Sequence, residues 1–313
     1  MRHLRTVFDF DQPSVMRIFK RAQELKRQRR DRRLEPSLSG YVVGMLFEKP
    51  STRTRVSFEA GVSLLGGSSV VLQSRDTQLQ RGEPLRDAAR VLGSYVDALV
   101  IRTFEQEIVD QYALHAGIPI INGLTDLDHP CQVMTDLFTI YERRESPFDL
   151  KWAWVGDGNN MAHGFIGLAS LLGFELRVAT PKNHAPDPAF LARAEQNGAK
   201  IFVTHEPEEA VQGAHVVSTD VWASMGQENE AEERRATFER FQVNAALLER
   251  AAEDHLVLHC LPAHRGEEIT DDVLEGRHSV VFEQAGNRLP VQQAILEWLL
   301  GAGSVFVGEH DAA

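Results

Sequence analysis

Tyr41–Leu65 reads YVVGMLFEKPSTRTRVSFEAGVSLL, and the fold turns on how this stretch is read. Tyr41–Phe47 is a short apolar run, the pattern of a buried strand. Pro50 resists any helix continuing from upstream, and Ser51 or Thr52 can cap a new one. Beyond it Phe58, Val62 and Leu65 fall at i, i+4 and i+7, which predicts a helix with one buried face. A strand that delivers a helix start in this way is the opening of a βαβ unit. The helix start carries Ser51, Thr52, Arg53, Thr54 and Arg55. Free backbone N–H groups and the positive dipole end favour an anion there, so hydroxyls and guanidiniums at that spot describe a phosphate site. An ordinary capped helix with a solvated basic first turn would carry the same residues.

The alternation continues outward. Further strands are expected at Ser68–Leu72, Asp97–Arg102 and Ile118–Ile121, and a helix at Gln132–Arg143. Glu145-Ser146-Pro147-Phe148-Asp149 then breaks the pattern. A second series follows, with strands at Trp152–Val155, Glu175–Ala179, Ile201–Thr204, His215–Thr219 and Leu256–His259, and helices at Met161–Leu172 and Pro188–Asn197. A last strand is expected at Ser279–Phe282. After it comes an amphipathic helix, Val291–Leu300, with Pro290 in its first turn. The predicted class is α/β, with two parallel-sheet domains spanning residues 1–145 and 146–313. The small polar tail Gly301–Ala313 is expected to fray.

Composition excludes several roles. The chain is 43% hydrophobic and 25% charged, ordinary for a globular protein. A net charge of −12 argues against nucleic acid or a membrane surface as partner. An anionic substrate must then be held by a local arginine cluster. The basic run Lys20–Arg33 contains Glu24 and Asp31 and reads as a solvated helix face. The two cysteines, Cys131 and Cys260, are far apart in sequence and each sits inside a motif, so a structural disulfide is not expected in such a chain. Met1–Arg5 lacks the apolar core of a leader, and Asp9 and Asp11 do not suit a transit peptide, so a cytoplasmic location is expected.

Other stretches are ambiguous by themselves. Arg102 ends the strand DALVIR, where α/β sheets place ligand residues but where surface arginines also sit. His129-Pro130-Cys131-Gln132 alone would be read as a loop with a satisfied structural histidine. Gly156-Asp157-Gly158-Asn159-Asn160 stands where a dinucleotide loop would, but G-x-G-x-x-G fails at Met161. Asp220 closes a strand and precedes the acidic segment Gln227–Glu233, so it could belong to an acidic loop. Cys260, in His259-Cys260-Leu261-Pro262, could be a covalent nucleophile. The segment Asp76–Glu83, with Gln78, would pass for a surface loop.

Taken together, Phe47-Glu48-Lys49-Pro50-Ser51-Thr52-Arg53-Thr54-Arg55, His129-Pro130-Cys131-Gln132, Asp220-Val221-Trp222-Ala223-Ser224-Met225-Gly226 and His259-Cys260-Leu261-Pro262 resemble, in order, the motifs of the aspartate/ornithine carbamoyltransferase family. The Asp-x-x-x-Ser-Met-Gly block is similar to the ornithine branch. The similarity runs from about Leu34 to about Leu300. It implies two doubly wound domains, the first for carbamoyl phosphate and the second for ornithine, with a helix at about 288–300 packing back on the first. It implies transfer of a carbamoyl group from carbamoyl phosphate to the δ-amine of L-ornithine, in arginine biosynthesis or in arginine breakdown. Putrescine or N-acetylornithine are the alternative acceptors.

Residue by residue, the resemblance implies carbamoyl-phosphate contacts from Ser51, Thr52, Arg53, Thr54, Arg102, His129, Gln132, Cys260, Leu261 and Arg288. Arg55 is expected to pair within the protein instead. Gln78 would reach the site of a neighbouring subunit in a homotrimer. Asn160, Asp220, Ser224 and Met225 would hold ornithine, and Arg102, His129, Asp220 and Cys260 would act in catalysis. Gly286 and Pro290 depart from the family pattern around Arg288. The resemblance implies no cofactor and no metal, and no zinc-type ligand spacing is visible along the chain.

Overall fold

The computed structural model describes residues 1–49, 51–73, 82–223, 228–303 and 306. Gln78, Ser224, Met225 and most of the tail expected to fray lie outside the described residues, but Ala302 and Phe306 of that tail are buried and not frayed. The chain divides into two compact units: Met1–Met134 with Asn287–Ala313, and Thr135–Gly286.

The first unit holds a parallel sheet of β1 (Val42–Phe47), β2 (Ser68–Gln73), β3 (Ala98–Arg102) and β4 (Ile120–Leu124), in the order β2-β1-β3-β4. Its helices are α1 (Gln12–Arg30), α2 (Thr52–Leu64), α3 (Leu85–Gly93), α4 (Gln106–His115) and the start of α5 (Pro130–Tyr141). Strands β3 and β4 are apolar and buried almost throughout, as strands covered on both faces must be. Edge strand β2 is more exposed. Leu46, Leu99, Ile101, Val109, Tyr112 and Ile120 form the core between sheet and helices.

The second unit holds β5 (Lys151–Val155), β6 (Glu175–Ala179), β7 (Ile201–Thr204), β8 (Val216–Thr219) and β9 (Leu256–His259), all parallel, in the order β7-β6-β5-β8-β9. Its helices are α6 (Asn160–Leu172), α7 (Pro188–Gln196), α8 (Pro207–Val211), α9 (Ala231–Phe238), α10 (Ala245–Leu248) and α11 (Asp271–Leu274). Trp152 packs against Phe165 and Phe174 beneath the sheet. In each sheet the strand order reverses once, between β1 and β3 and between β5 and β8. The crevice at the carboxyl ends of such a pair of strands is where doubly wound sheets bind ligands.

Three expectations need correction. Ser279–Phe282 is not a strand: Ser279 makes one isolated bridge to Val257, and Val281 opens α12 (Val281–Leu300). The buried face of α12 includes Gln284 and Arg288 beside Val281, Val291 and Ile295, and these polar residues hid its period. Pro290 is therefore interior to α12 and not in a first turn, where its missing N–H forgoes a bond to the Gly286 carbonyl. The basic run is only partly solvated. Arg21 is fully buried, donating to Glu297 at 2.6 and 2.9 Å, and Ser37 donates to the same carboxylate. Among the described residues no helix is long and apolar enough to cross a membrane.

Candidate active site

In the first unit the site grows from the N-terminus of α2. Ser51 caps it, accepting from the Thr54 N–H at 3.3 Å. Helix geometry leaves the Thr52 and Arg53 N–H groups without partners inside the helix. Two guanidiniums arrive at this end. Arg102 Nη1 donates to Thr54 Oγ1 at 3.2 Å, and Arg288 Nη2 donates to the same oxygen at 2.9 Å. Arg288 Nη1 also donates to Gln132 Oε1 at 2.9 Å. Arg102 sits where the β3–β4 register slips, pairing with Leu124 after Ile101 has paired with Asn122. Such irregularities re-aim a side chain at a sheet rim. Arg53 is half-buried and joins no ion pair among the described residues, while Arg55 pairs with Glu59 on its own helix at 3.1 Å. Lys49 of the same motif is taken up by Asp126 and by the Phe104 ring.

His129 lies beside these cations and is 3% exposed. Burial first, then the Arg288 and Arg102 charges, holds its pKa well below 6.5. The ring is therefore neutral at ordinary pH, and its Nδ1 meets no hydrogen-bond partner among the described residues. A neutral imidazole in this place can donate to a carbonyl oxygen. The first half-site thus offers cations, helix N–H groups, hydroxyls and a neutral imidazole, the groups that a phosphate joined to a carbonyl requires.

In the second unit the site lies on the loops after β5, β8 and β9. Asp220 follows β8 and is buried. Cys260 Sγ donates to Asp220 Oδ1 at 2.9 Å, and Asn159 Nδ2 donates to Oδ2 at 3.4 Å. Asn159 also caps α6, accepting from Met161 N–H at 3.0 Å. Asn160 is the first residue of that helix and half-buried. Leu261 occupies the left-handed region at φ 59°, a strain of about 1–2 kcal/mol for a leucine. Its N–H donates to His259 Nδ1 at 2.9 Å. Because Nδ1 accepts, Nε2 carries the ring hydrogen and gives it to buried Glu268 at 3.0 Å. The His259 N–H is held in turn by Gln284 Oε1 at 3.0 Å. These bonds fix the Cys260 and Leu261 carbonyls.

Glu268, Gln284 and Asn159 escaped the sequence reading. Glu268 stands nine residues past His259 among exposed charges, and nothing in the order of residues announces its burial. Ligand atoms of Asp220, His259 and Cys260 lie within 4.8 Å of one another, as do those of His264, Glu267 and Glu268. Linear spacing hides both groupings. In the first, a metal ion would have to displace the Leu261 N–H or Glu268 from the His259 ring, since both nitrogens are engaged.

Residues 2–142 match the family described as aspartate/ornithine carbamoyltransferase, carbamoyl-P binding domain, and residues 148–299 match its Asp/Orn binding domain. The chain is 51% identical over 300 residues to an ornithine carbamoyltransferase of Desulfotalea psychrophila, covering 96% of this chain and 99% of that protein. To the one of Anoxybacillus flavithermus it is 52% identical over 299 residues, covering 94% and 95%. Among solved structures it resembles ornithine carbamoyltransferase from Pyrococcus furiosus with a TM-score of 0.92 at 45% identity, covering 96% and 97%. The anabolic enzyme from Campylobacter jejuni gives a TM-score of 0.90 at 40% identity, covering 96% and 99%.

Proposed function

The chain belongs to the aspartate/ornithine carbamoyltransferase family, and from that premise we infer that it transfers the carbamoyl group of carbamoyl phosphate to the δ-amine of L-ornithine, giving L-citrulline and phosphate. The observation that carries this reading is the meeting of Arg102 and Arg288 on Thr54 at a helix N-terminus, beside a neutral His129. An anion relieves the repulsion of the two guanidiniums, and the imidazole serves the carbonyl.

In the proposed mechanism Ser51, Thr52, Arg53, Thr54 and Arg102 hold the phosphate. Arg288 and His129 donate to the carbamoyl oxygen. Gln132 and the carbonyls of Cys260 and Leu261 take the carbamoyl NH2. Asp220 receives the α-ammonium of ornithine, with Asn160, Ser224 and Met225 around its carboxylate, and Cys260 faces the reacting amine. That amine has a lysine-like pKa near ~10.4 and must lose a proton before it attacks. The new C–N bond forms as the C–O bond to phosphate breaks, and the departing phosphate takes up the proton. Each positioned donor to the developing oxyanion is worth on the order of 10²–10³ in rate.

The reading extends to a cytoplasmic enzyme of arginine metabolism that assembles as a homotrimer, with Gln78 of one chain completing the site of the next. Mixing Gln78→Ala and Arg53→Ala chains through reversible dissociation would then restore activity that neither parent shows. The direct test of function measures carbamoylated product from carbamoyl phosphate with ornithine, putrescine or N-acetylornithine. Ornithine should be strongly preferred. Preference for putrescine would mean the amino-acid half-site is misread, and no product with any amine would end the proposal.

A further inference from the structure

Among the described residues of the second unit Arg234, on α9, is the one buried arginine, and the reaction as described makes no use of it. The sequence hid it in a glutamate-rich segment. Its Nη2 pairs with Asp157 Oδ2, and its Nε donates to the Trp222 carbonyl. Asp157 belongs to the loop after β5 that carries Asn159 and leads into Asn160, the first residue of α6. Trp222 belongs to the loop after β8, two residues past Asp220. One planar fork therefore ties together the two loops at the switch point of the sheet.

The setting is tightly built. Phe238 lies under the guanidinium at 5.2 Å, and the Trp222 and His184 rings pack on the same phenyl. His184 Nδ1 stands 3.6 Å from Asp157 Oδ1. Trp154 Nε1 donates to the Asp157 carbonyl at 2.8 Å. A Cβ at Gly158 would lie 2.3–2.5 Å from the backbone of His184, Ala185 and Pro186, so this loop has no slack. Burial pushes the Asp157 carboxyl above its usual range; the Arg234 charge, and after it His184, acts against this, and the Asp220 charge adds a smaller push the same way as burial.

We propose that Arg234 is a positioning residue for the amino-acid substrate: it sets the separation of the loops bearing Asn160 and Asp220, and it cancels the charge of Asp157 so that Asp220 alone meets the substrate ammonium. Without Arg234 the buried Asp157 would lose its charge partner and the two loops the fork that ties them together. This rests on the carbamoyl-transfer reading, and the wild-type enzyme tests that reading separately by forming citrulline.

The experiment compares Arg234→Gln, Asp157→Asn and the double variant. KM for ornithine in Arg234→Gln should rise on the order of 10–100-fold with kcat reduced less than about fivefold. Calorimetric affinity for carbamoyl phosphate, measured without ornithine, should stay within about twofold. Asp157→Asn removes the charge that Arg234 answers, so the double variant should recover about fivefold or more of the lost KM. An unchanged KM in Arg234→Gln, or equal damage to both substrates, would overturn the proposal. So would a double variant no better than Arg234→Gln. If Arg234→Gln fails to fold, Arg234→Lys replaces it: the proposal then expects a KM rise with kcat held, and a fall in kcat alone refutes it.

Discussion

Arg102 and Arg288 meet at Thr54 in the first unit, whereas in the second Asp220 meets Cys260 and Asn159. The first half-site gathers cations in a chain of net charge −12, and neutral groups, Thr54 and Gln132, hold them together. A carboxylate in that place would cancel the charge the phosphate needs. The second half-site keeps one carboxylate, and its neighbours are again neutral: a thiol and an amide. The nearby acid Asp157 is answered by Arg234. A binding charge must be supported by neutral donors and acceptors if it is to remain available, and both units obey this with opposite sign.

The largest break in the comparison is expected from Arg53→Ala. It removes a guanidinium with no ion pair among the described residues, so stability should hardly change. kcat/KM for carbamoyl phosphate should fall on the order of 10²–10³. Steady-state kinetics and a thermal melt decide it. Near wild-type kcat/KM would remove Arg53 from the phosphate site.

Asp220→Asn should damage the other half alone. Removing the carboxylate should raise KM for ornithine about 10–100-fold, with calorimetric affinity for carbamoyl phosphate within about twofold of wild type. Equal losses for both substrates would make Asp220 a structural acid and erase the distinction between the half-sites.

The first half-site was far more legible in the sequence than the second. Ser51–Thr54 form a contiguous cap-and-cation motif whose physics is local, and Arg102 stands at a strand end where ligands gather. The second half-site is built from burial. Asp220 could be named from its motif. Glu268, Gln284 and Arg234 could not, because each acts across a fold whose side-chain environment is invisible in linear order. Helix α12 was misread for the same reason: a helix that buries Gln284 and Arg288 does not look amphipathic. The alternating strands needed no such knowledge, and both sheets emerged from apolar runs alone.

Cys260→Ser probes the thiol that faces Asp220. A hydroxyl keeps a donor to the carboxylate with a shorter reach, so kcat should fall about 3–10-fold without vanishing. The pH profile of kcat/KM should rise with deprotonation of the ornithine amine in wild type and variant alike. His129, held below 6.5, should add no inflection near neutrality. Mass spectrometry during turnover should find no carbamoyl adduct on Cys260. Trapping one would replace direct transfer with a covalent route.

An effect on stability and not on activity sharpens the contrast between two buried acids. Asp220 sits among neutral donors in the second unit. Asp128, next to His129 in the first, is fully buried and accepts from the Val7 N–H at 2.6 Å. Burial pushes its pKa from 3.8 up to about 7. A carboxyl whose folded pKa is raised holds its proton more tightly in the native state. Its contribution to stability is complete below pH 3.8 and is lost as pH climbs through about 7. Asparagine imitates the protonated form at every pH and can still accept from Val7. Asp128→Asn should therefore stabilise the protein by about 1–3 kcal/mol at pH 8, and by clearly less at pH 5. Denaturant titrations at the two pH values measure this. A variant that is less stable at pH 8 than at pH 5, relative to wild type, would show that Asp128 is held as a carboxylate, with the Val7 N–H outweighing its burial.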